Sequence, residues 1–310
     1  MTESQLTTTQ QMTSIWELGG LKVRELVRLV WQQVNDDNLV NRASELAYNF
    51  LLALFPFLLF LLVLFGLLAA RGPQLQQELF SYIGRVLPAT AAQLVSKTLS
   101  EIVNASGGGK LTFGIILALW SASSGTSTMM SLLTEAYHVR DSRPWWKTKL
   151  IALGLTIAMS ALTMAALVIV LFGGPIANFV GRHIGLGGIT VFIWKVAQWP
   201  AALFFVAFAF SLIYYFGPDV KEQHWYWITP GSVVGVFLWL ACSFGFRAYL
   251  HFSNSYTKTY GSLGAVIILL LWFYMTGLAF LIGGHINAQI EHAAAERGHP
   301  EAKLPGRKVA

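Results

Sequence analysis

The chain has 310 residues, of which 55% are hydrophobic and only 12% charged, against about a quarter charged in a soluble domain. With a mean hydropathy of +0.56, this composition excludes an ordinary soluble protein and indicates an integral membrane protein. The net charge of +6 is spread thinly between hydrophobic spans, where positive-inside bias accounts for it, so no nucleic-acid partner is expected.

Residues 1–14 are rich in Thr, Gln and Ser and read as disordered. No short apolar core with a small-residue cleavage site precedes the first span, which is expected to insert as an uncleaved anchor. From Ile15 to Val34, Trp16, Leu18, Val23, Leu26, Val27, Val30, Trp31 and Val34 recur at helical spacing against Lys22, Arg24, Glu25 and Arg28. That pattern predicts an amphipathic helix lying on the membrane surface, a soluble core-facing helix being the alternative.

The first span is predicted at 46–70, roughly 37 Å of helix, enough to cross with some tilt. Pro56 lies inside it, lacks an amide and crowds the Leu52 carbonyl, so a kink is expected there. Arg42 and Glu45, three apart at its entrance, share a face and can form an ordinary interfacial ion pair. The connection 71–110 is too long for a turn. It reads as two amphipathic helices followed by a flexible joint at Ser106, Gly107, Gly108 and Gly109.

The second span, 111–133, is filled with hydroxyls in its second half. At about 100° per residue, Ser121, Ser123, Ser124, Ser127, Thr128 and Ser131 fall in one arc of roughly 160°, with Thr126 outside it. Glu135 continues that arc at the helix end. Two readings stay open: a polar path for a solute, or close helix packing, since Ser, Thr, Gly and Ala let backbones approach and supply modest interhelical hydrogen bonds.

A basic loop with Arg140, Arg143, Lys147 and Lys149 beside Trp145 and Trp146 reads as cytoplasmic. The third span is predicted at 150–172, broken by Gly173-Gly174-Pro175, with 173–190 a loop or a re-entrant segment. The fourth covers 191–216 and ends at Gly217-Pro218-Asp219. The fifth covers 229–250, with Thr229 as N-cap and Pro230 at the first helical position. The sixth covers 261–286 and follows a polar stretch bearing Tyr256 and Tyr260, with Gly261 and Gly264 as kink candidates alongside Pro56 and Gly109. His285 and Asn287 stand at its exit, His285 more readily a hydrogen-bonded interfacial group than a proton carrier. The tail 287–310 is charged and expected to be mobile beyond its first turns. Six spans put both termini on one side. The loops on that side hold 13 Lys and Arg against 6 opposite, which makes it the cytoplasmic side.

Four segments resemble the YihY/BrkB family of bacterial inner-membrane proteins: RASELAYNFLLALFPFLLFLL (42–62), WSASSGTSTMMSLLTEAYHVRDSRPWWKTKLIAL (120–153), TPGSVVGVFLWLACS (229–243) and SYTKTYGSLGAVIILLLWFY (255–274). Together they extend the resemblance over about residues 16–292. It implies an all-α, six-span protein of the cytoplasmic membrane. Members were once labelled ribonuclease BN. Asp36, Asp37, Glu78, Glu101, Asp141 and Asp219 are scattered rather than clustered as a metal-assisted phosphodiesterase needs, so that activity is not expected here.

The leading expectation is a transporter or exporter of an amphiphilic or lipid-like substrate, with membrane lipids as surroundings. Ser121, Ser124, Thr128, Ser131 and Glu135 line its path. A structural or assembly protein without transport is the alternative. An intramembrane hydrolase pairing Ser124 with His285 or His251 is the weakest reading, because Ala122 stands where a GxSG motif needs glycine. Cys242 is the only cysteine, which excludes an intramolecular disulfide and a cysteine-cluster metal site. No nucleotide-binding glycine motif occurs, and no cofactor or metal is expected.

Overall fold

A computed structural model of the chain describes residues 16–69, 108–184, 187–220, 228–252, 262–298 and 302–308. The described residues are helical, with no strand among them. After a 3-10 turn at Leu18–Gly20 come α1 (Val23–Asp36), α2 (Leu39–Ala69), α3 (Gly108–Ala136), α4 (Trp145–Ile184), α5 (Gly187–Phe216), α6 (Pro230–Phe252) and α7 (Ser262–Glu296). Among the described residues five helices, α2, α4, α5, α6 and α7, contain a stretch long and apolar enough to cross a bilayer. The predicted second span forms α3, which is not among the five. Its clustered hydroxyls dilute an otherwise apolar helix.

Several boundaries differ from expectation. The Gly173-Gly174-Pro175 sequence does not break its helix, since α4 runs through to Ile184. In apolar surroundings a broken helix would leave backbone groups without water to bond, so helix-breaking residues are carried inside helices. Pro56 and Pro200 likewise sit within α2 and α5. Gly109 lies in the first turn of α3 rather than in a free joint, because the helix already begins at Gly108. The sixth predicted span continues past 286 to Glu296. Residues 70–107, with the two expected loop helices, lie outside the described residues, as do Tyr256, Tyr260 and Gly261. Gly264 is in the first turn of α7.

The chain divides into two compact units, Met1–Leu51 with Gly125–Ala310, and Leu52–Ser124. In the first, α4 packs on α5, α6 packs on both α5 and α7, and α7 also carries α1 and the 3-10 turn. Its core joins Leu39, Leu46, Leu133, Ile213, Tyr214 and Phe280. A second cluster seats Leu26 and Val30 of α1 on Ile286 and Ile290 of α7. Outward-facing Phe192 and Trp199 on α5 and Phe237 and Phe244 on α6 are largely exposed, the surface that helices turn to lipid. In the second unit, Phe60, Leu61 and Val63 are buried.

Capping and close approach fix the α6–α7 pair. The Thr229 hydroxyl accepts from the Ser232 amide at 3.1 Å, and the Thr229 amide donates to the Ser232 hydroxyl at 3.0 Å. This closes a reciprocal box around Pro230 at the first helical position. The Asn287 side chain accepts from the Gly231 amide at 2.9 Å and donates to the Thr229 hydroxyl at 3.0 Å. A Cβ at Gly231 would strike the Gly283 carbonyl and the Asn287 side chain. One at Gly283 would strike the Tyr214 hydroxyl and the Gly231 carbonyl.

Gly231→Ala and Gly283→Ala are each expected to lower stability by about 1–3 kcal/mol through overpacking. Gly245→Ala, where nothing lies within 4 Å of the added carbon, should be neutral or slightly stabilising. Thermal unfolding of the three variants in detergent micelles checks this, and equal effects at all three positions would refute the close-approach account.

Candidate functional site

The chemistry-bearing side chains of the larger unit gather where the α1–α2 turn meets the end of α3 and the middle of α7. α1 stops at Asp36 because Asn38 adopts a left-handed backbone, φ +51, a conformation that asparagine tolerates better than most residues. The turn leaves Asp37 pointing at α7 and lets α2 begin at Leu39. α3 ends in the same manner at His138, φ +55, whose amide donates back to the Glu135 carbonyl at 2.7 Å. The two turns and α7 enclose a cavity of about 280 Å³. Asp37, Arg42, Glu135, His138 and His285 supply its polar wall, and Leu39, Leu132, Ala136, Val139 and Leu281 its apolar wall. A second cavity, about 310 Å³, adjoins it between Asp36, Asn38, Asn41, Arg42 and Glu45.

Three of the sequence candidates meet at the first cavity. Arg42 forms its ion pair with Glu135 across the cavity, not with its neighbour Glu45. The pair is exposed, at 39% and 44% of the two side chains, so it contributes little to stability and is free to exchange partners with a solute. His285 is buried, 3% exposed. Its Nδ1 lies 2.8 Å from the Leu281 carbonyl and its Nε2 lies 3.2 Å from an Asp37 carboxylate oxygen. Burial alone would raise the Asp37 carboxyl. The hydrogen bond and charge of His285, with the charges of His138 and Arg42, outweigh burial and hold it below the usual carboxylate range.

Asp37 and His138 were not singled out by spacing. His138 lies 3.1 Å, through Nε2, from the Gln33 amide nitrogen of α1 and stacks on His292 of α7 at 6.3 Å. The acidic pair Asp36-Asp37 directly after an amphipathic stretch was the available signal, but the hydrogen-bond partner of Asp37, His285, lies about 250 positions away in sequence. Asn287 belongs to the α6 cap described above rather than to the cavity.

On α3 the hydroxyls are unequal. Ser123 and Ser124 donate back to the Trp120 and Ser121 carbonyls at 2.7 Å, and Thr126 bonds Thr156 of α4 at 2.9 Å. Ser131 and Glu135 are exposed. Among the described residues no group of three or more His, Cys, Asp and Glu could hold a metal ion.

The tail, expected to be mobile, is docked over residues 302–308. Lys303, 1% exposed, reaches Glu291 of α7 at 3.0 Å. The Gly306 amide donates to the Tyr137 carbonyl at 3.1 Å. Lys308 pairs with Asp219 and donates to the Ser142 hydroxyl at 2.7 Å. Arg143 joins Asp141 at 2.7 Å, Asp219 at 3.7 Å and the Gly217 carbonyl at 3.0 Å. Opposite charges within reach outweigh the flexibility of a Pro- and Gly-bearing segment. Beneath this strap Tyr137 is buried, and burial together with the Glu291 carboxylate raises its phenol well above the ordinary value.

The family described as Virulence factor BrkB matches residues 30–305. YfkH of Bacillus subtilis, a protein named only provisionally as ribonuclease-like, is 34% identical over 265 residues, 86% of this chain and 92% of its own length. A UPF0761 membrane protein of Xanthomonas oryzae pv. oryzae is 29% identical over 293 residues, as is the UPF0761 membrane protein XAC0937 of Xanthomonas axonopodis pv. citri. The match covers 90% of this chain but 63% of each Xanthomonas protein. No solved structure matches the chain.

The acid limb of stability follows from the lowered carboxyls. Burial raises Asp219, but its bonds to Lys308 and Ser142 prevail and leave it below its ordinary value. A carboxyl depressed by folding contributes stability above its unfolded value and loses it as pH falls through the folded one. Asp219→Asn should therefore flatten the loss of stability below about pH 4, read from unfolding midpoints against pH. An unchanged acid limb would show that the strap carries no such linkage.

Proposed function

The chain belongs to the Virulence factor BrkB family of membrane proteins, and on that premise we propose that it is a transporter or exporter of an amphiphilic or lipid-like solute. In this reading α3 is the second of six spans, the protein is multi-pass in the bacterial cytoplasmic (inner) membrane, and both termini are cytoplasmic. The excess of Lys and Arg in the loops on that side supports the orientation. α1 lies along the inner leaflet. Leu26 and Val30 are buried while Val23, Val27 and Trp31 are 62–68% exposed, and Arg24 and Arg28 flank them for anionic headgroups.

One observation carries the transport reading. The end of α3, at Glu135, opens on a cavity whose wall is half apolar and half polar or charged. An amphiphile needs both kinds of surface at once. Its headgroup can take over the exposed Arg42–Glu135 pair at small cost, and the hydroxyls of Thr128, Ser124 and Ser121 then follow along one arc of the same helix. Pro56, carried inside the continuous α2, is a candidate kink in the preceding helix.

The assembly reading keeps support from the Thr126–Thr156 bond, which is helix packing of the ordinary kind. A serine hydrolase has little. The two ring nitrogens of His285 are occupied by the Leu281 carbonyl and Asp37, so His285 offers Ser124 no free base, and the name of YfkH assigns no chemistry beyond a provisional ribonuclease-like label.

Purified full-length protein in liposomes should accelerate the transfer of a fluorescent short-chain phospholipid between leaflets. Replacing both Ser124 and Thr128 by Leu should reduce that rate at least about tenfold, equivalent to 1.4 kcal/mol on the barrier, while Ser243→Leu should leave it unchanged. Equal rates in the double variant and the parent would overturn the path along α3. No transfer by the parent protein, for lipid or for a panel of soluble amphiphiles, would favour the assembly reading.

A further inference from the structure

The contact between α7 and the α1–α2 turn sets the His285 ring between two oxygen acceptors. His285 has an oxygen at each ring nitrogen, the Leu281 carbonyl 2.8 Å from Nδ1 and the Asp37 carboxylate 3.2 Å from Nε2. A carbonyl oxygen only accepts, and so does a carboxylate. A neutral imidazole has one N–H and leaves its other lone pair facing one of these oxygens. Two contacts need two protons. With Asp37 held below the usual carboxylate range, the ring that satisfies both contacts is an imidazolium, and one additional proton lies between Nε2 and Asp37.

We propose that the Asp37–His285 pair is a proton-binding site, and that occupancy by one proton holds the α1–α2 turn to α7 at the mouth of the cavity. Release sends that proton to water in the cavity, which both residues line, and leaves a neutral ring with its Nε2 lone pair against the Asp37 carboxylate. The two repel and the contact opens. Asp37 is the hinge of the short turn that leads to Arg42, so its release frees the segment that carries the Arg42–Glu135 pair. Gln33, one turn earlier on α1, still holds to His138, so motion is confined to the turn.

The titratable and charged groups that face the site come from several elements. From the turn and α2 come Asp36, Arg42 and Glu45, and from the end of α3 come Glu135 and His138. His292, two turns along α7, interacts electrostatically with both His138 and His285. On α5 the Tyr214 hydroxyl is already spent on the Phe280 carbonyl at 2.7 Å and cannot serve Nε2. The proposal does not depend on transport, because proton binding is read directly.

The test uses full-length protein in lipid nanodiscs with 15N-labelled histidine, the His285 ring being assigned by its absence in His285→Gln. Imidazole nitrogen shifts are followed between about pH 5 and 9, alongside deuterium exchange of the 36–42 amides corrected for intrinsic rate. The parent should show a ring with both nitrogens protonated, or a strong Nε2–proton–carboxylate signal, that disappears as pH rises together with protection of the turn. In Asp37→Asn the side-chain amide can donate to a neutral ring. The ring signals should then differ from the parent's, and protection of the turn should no longer vary with pH. A parent ring neutral throughout, an Asp37→Asn titration identical to the parent, or a turn whose protection ignores the titration would each overturn the proposal. The melting temperature of each variant separates these outcomes from misfolding.

Discussion

The closeness of α6 to α7 at Gly231 and Gly283 is the constraint on which the rest of the larger unit depends. Each glycine leaves room where the other helix presents a backbone carbonyl, so the helices approach as small residues allow in membranes, where packing rather than hydrophobic expulsion of water drives association. Tyr214 of α5 then fits across the crossing and donates to the Phe280 carbonyl at 2.7 Å, and Asn287 closes the N-terminus of α6. With α7 held in this way, its following turns are fixed in depth and rotation. His285 faces the cavity, Ile286 and Ile290 receive α1, and Glu291 receives Lys303 from the tail.

Much of the architecture was legible because apolar length and helix punctuation are local properties. The Thr229-Pro230 start of α6 and the stop before Gly217-Pro218 depend on a few adjacent residues and occur where their chemistry puts them. Gly173-Gly174-Pro175 misleads for an instructive reason. Its breaking tendency is calibrated in water, where a freed carbonyl finds a solvent partner, whereas a lipid-facing helix has none to find and continues. The tail misleads for the opposite reason. Lys303 and Lys308 look like a solvated charge run until Glu291 and Asp219 are known to lie beside them, and nothing local in 302–308 announces those partners.

The candidate site was legible in part for the same reason. Arg42, Glu135 and His285 stood out as charges beside apolar spans, which is unusual enough to mark a residue by itself. Their pairing did not follow, since Arg42 has Glu45 one turn away and still bonds Glu135, more than ninety residues on. Asp37 and His138 sit in turns whose left-handed residues, Asn38 and His138 itself, set their direction, and a polar turn residue carries no mark of what it will face. Spacing identifies a helix face; it does not identify the face opposite.

The hydroxyls of α3 separate into two populations once the neighbours are known, and the separation decides how much of the arc packing explains. Ser123 and Ser124 bond the carbonyls three residues back, and Thr134 the Met130 carbonyl four back, which satisfies a hydroxyl within its own helix and makes it compatible with an apolar environment. Thr126, outside the arc, is the residue that bonds another helix. Polarity of that kind has a structural cause at every position where it occurs. Ser131 and Glu135 differ, being exposed, with Glu135 at the cavity and paired to a similarly exposed arginine. A helix that only packed would gain nothing from ending its polar face on an open charged pair beside an apolar wall, because the pair is too solvated to stabilise it by more than about 1 kcal/mol. The polarity that packing leaves unexplained is therefore concentrated at one end of α3, beside the cavity that also holds Asp37 and His285.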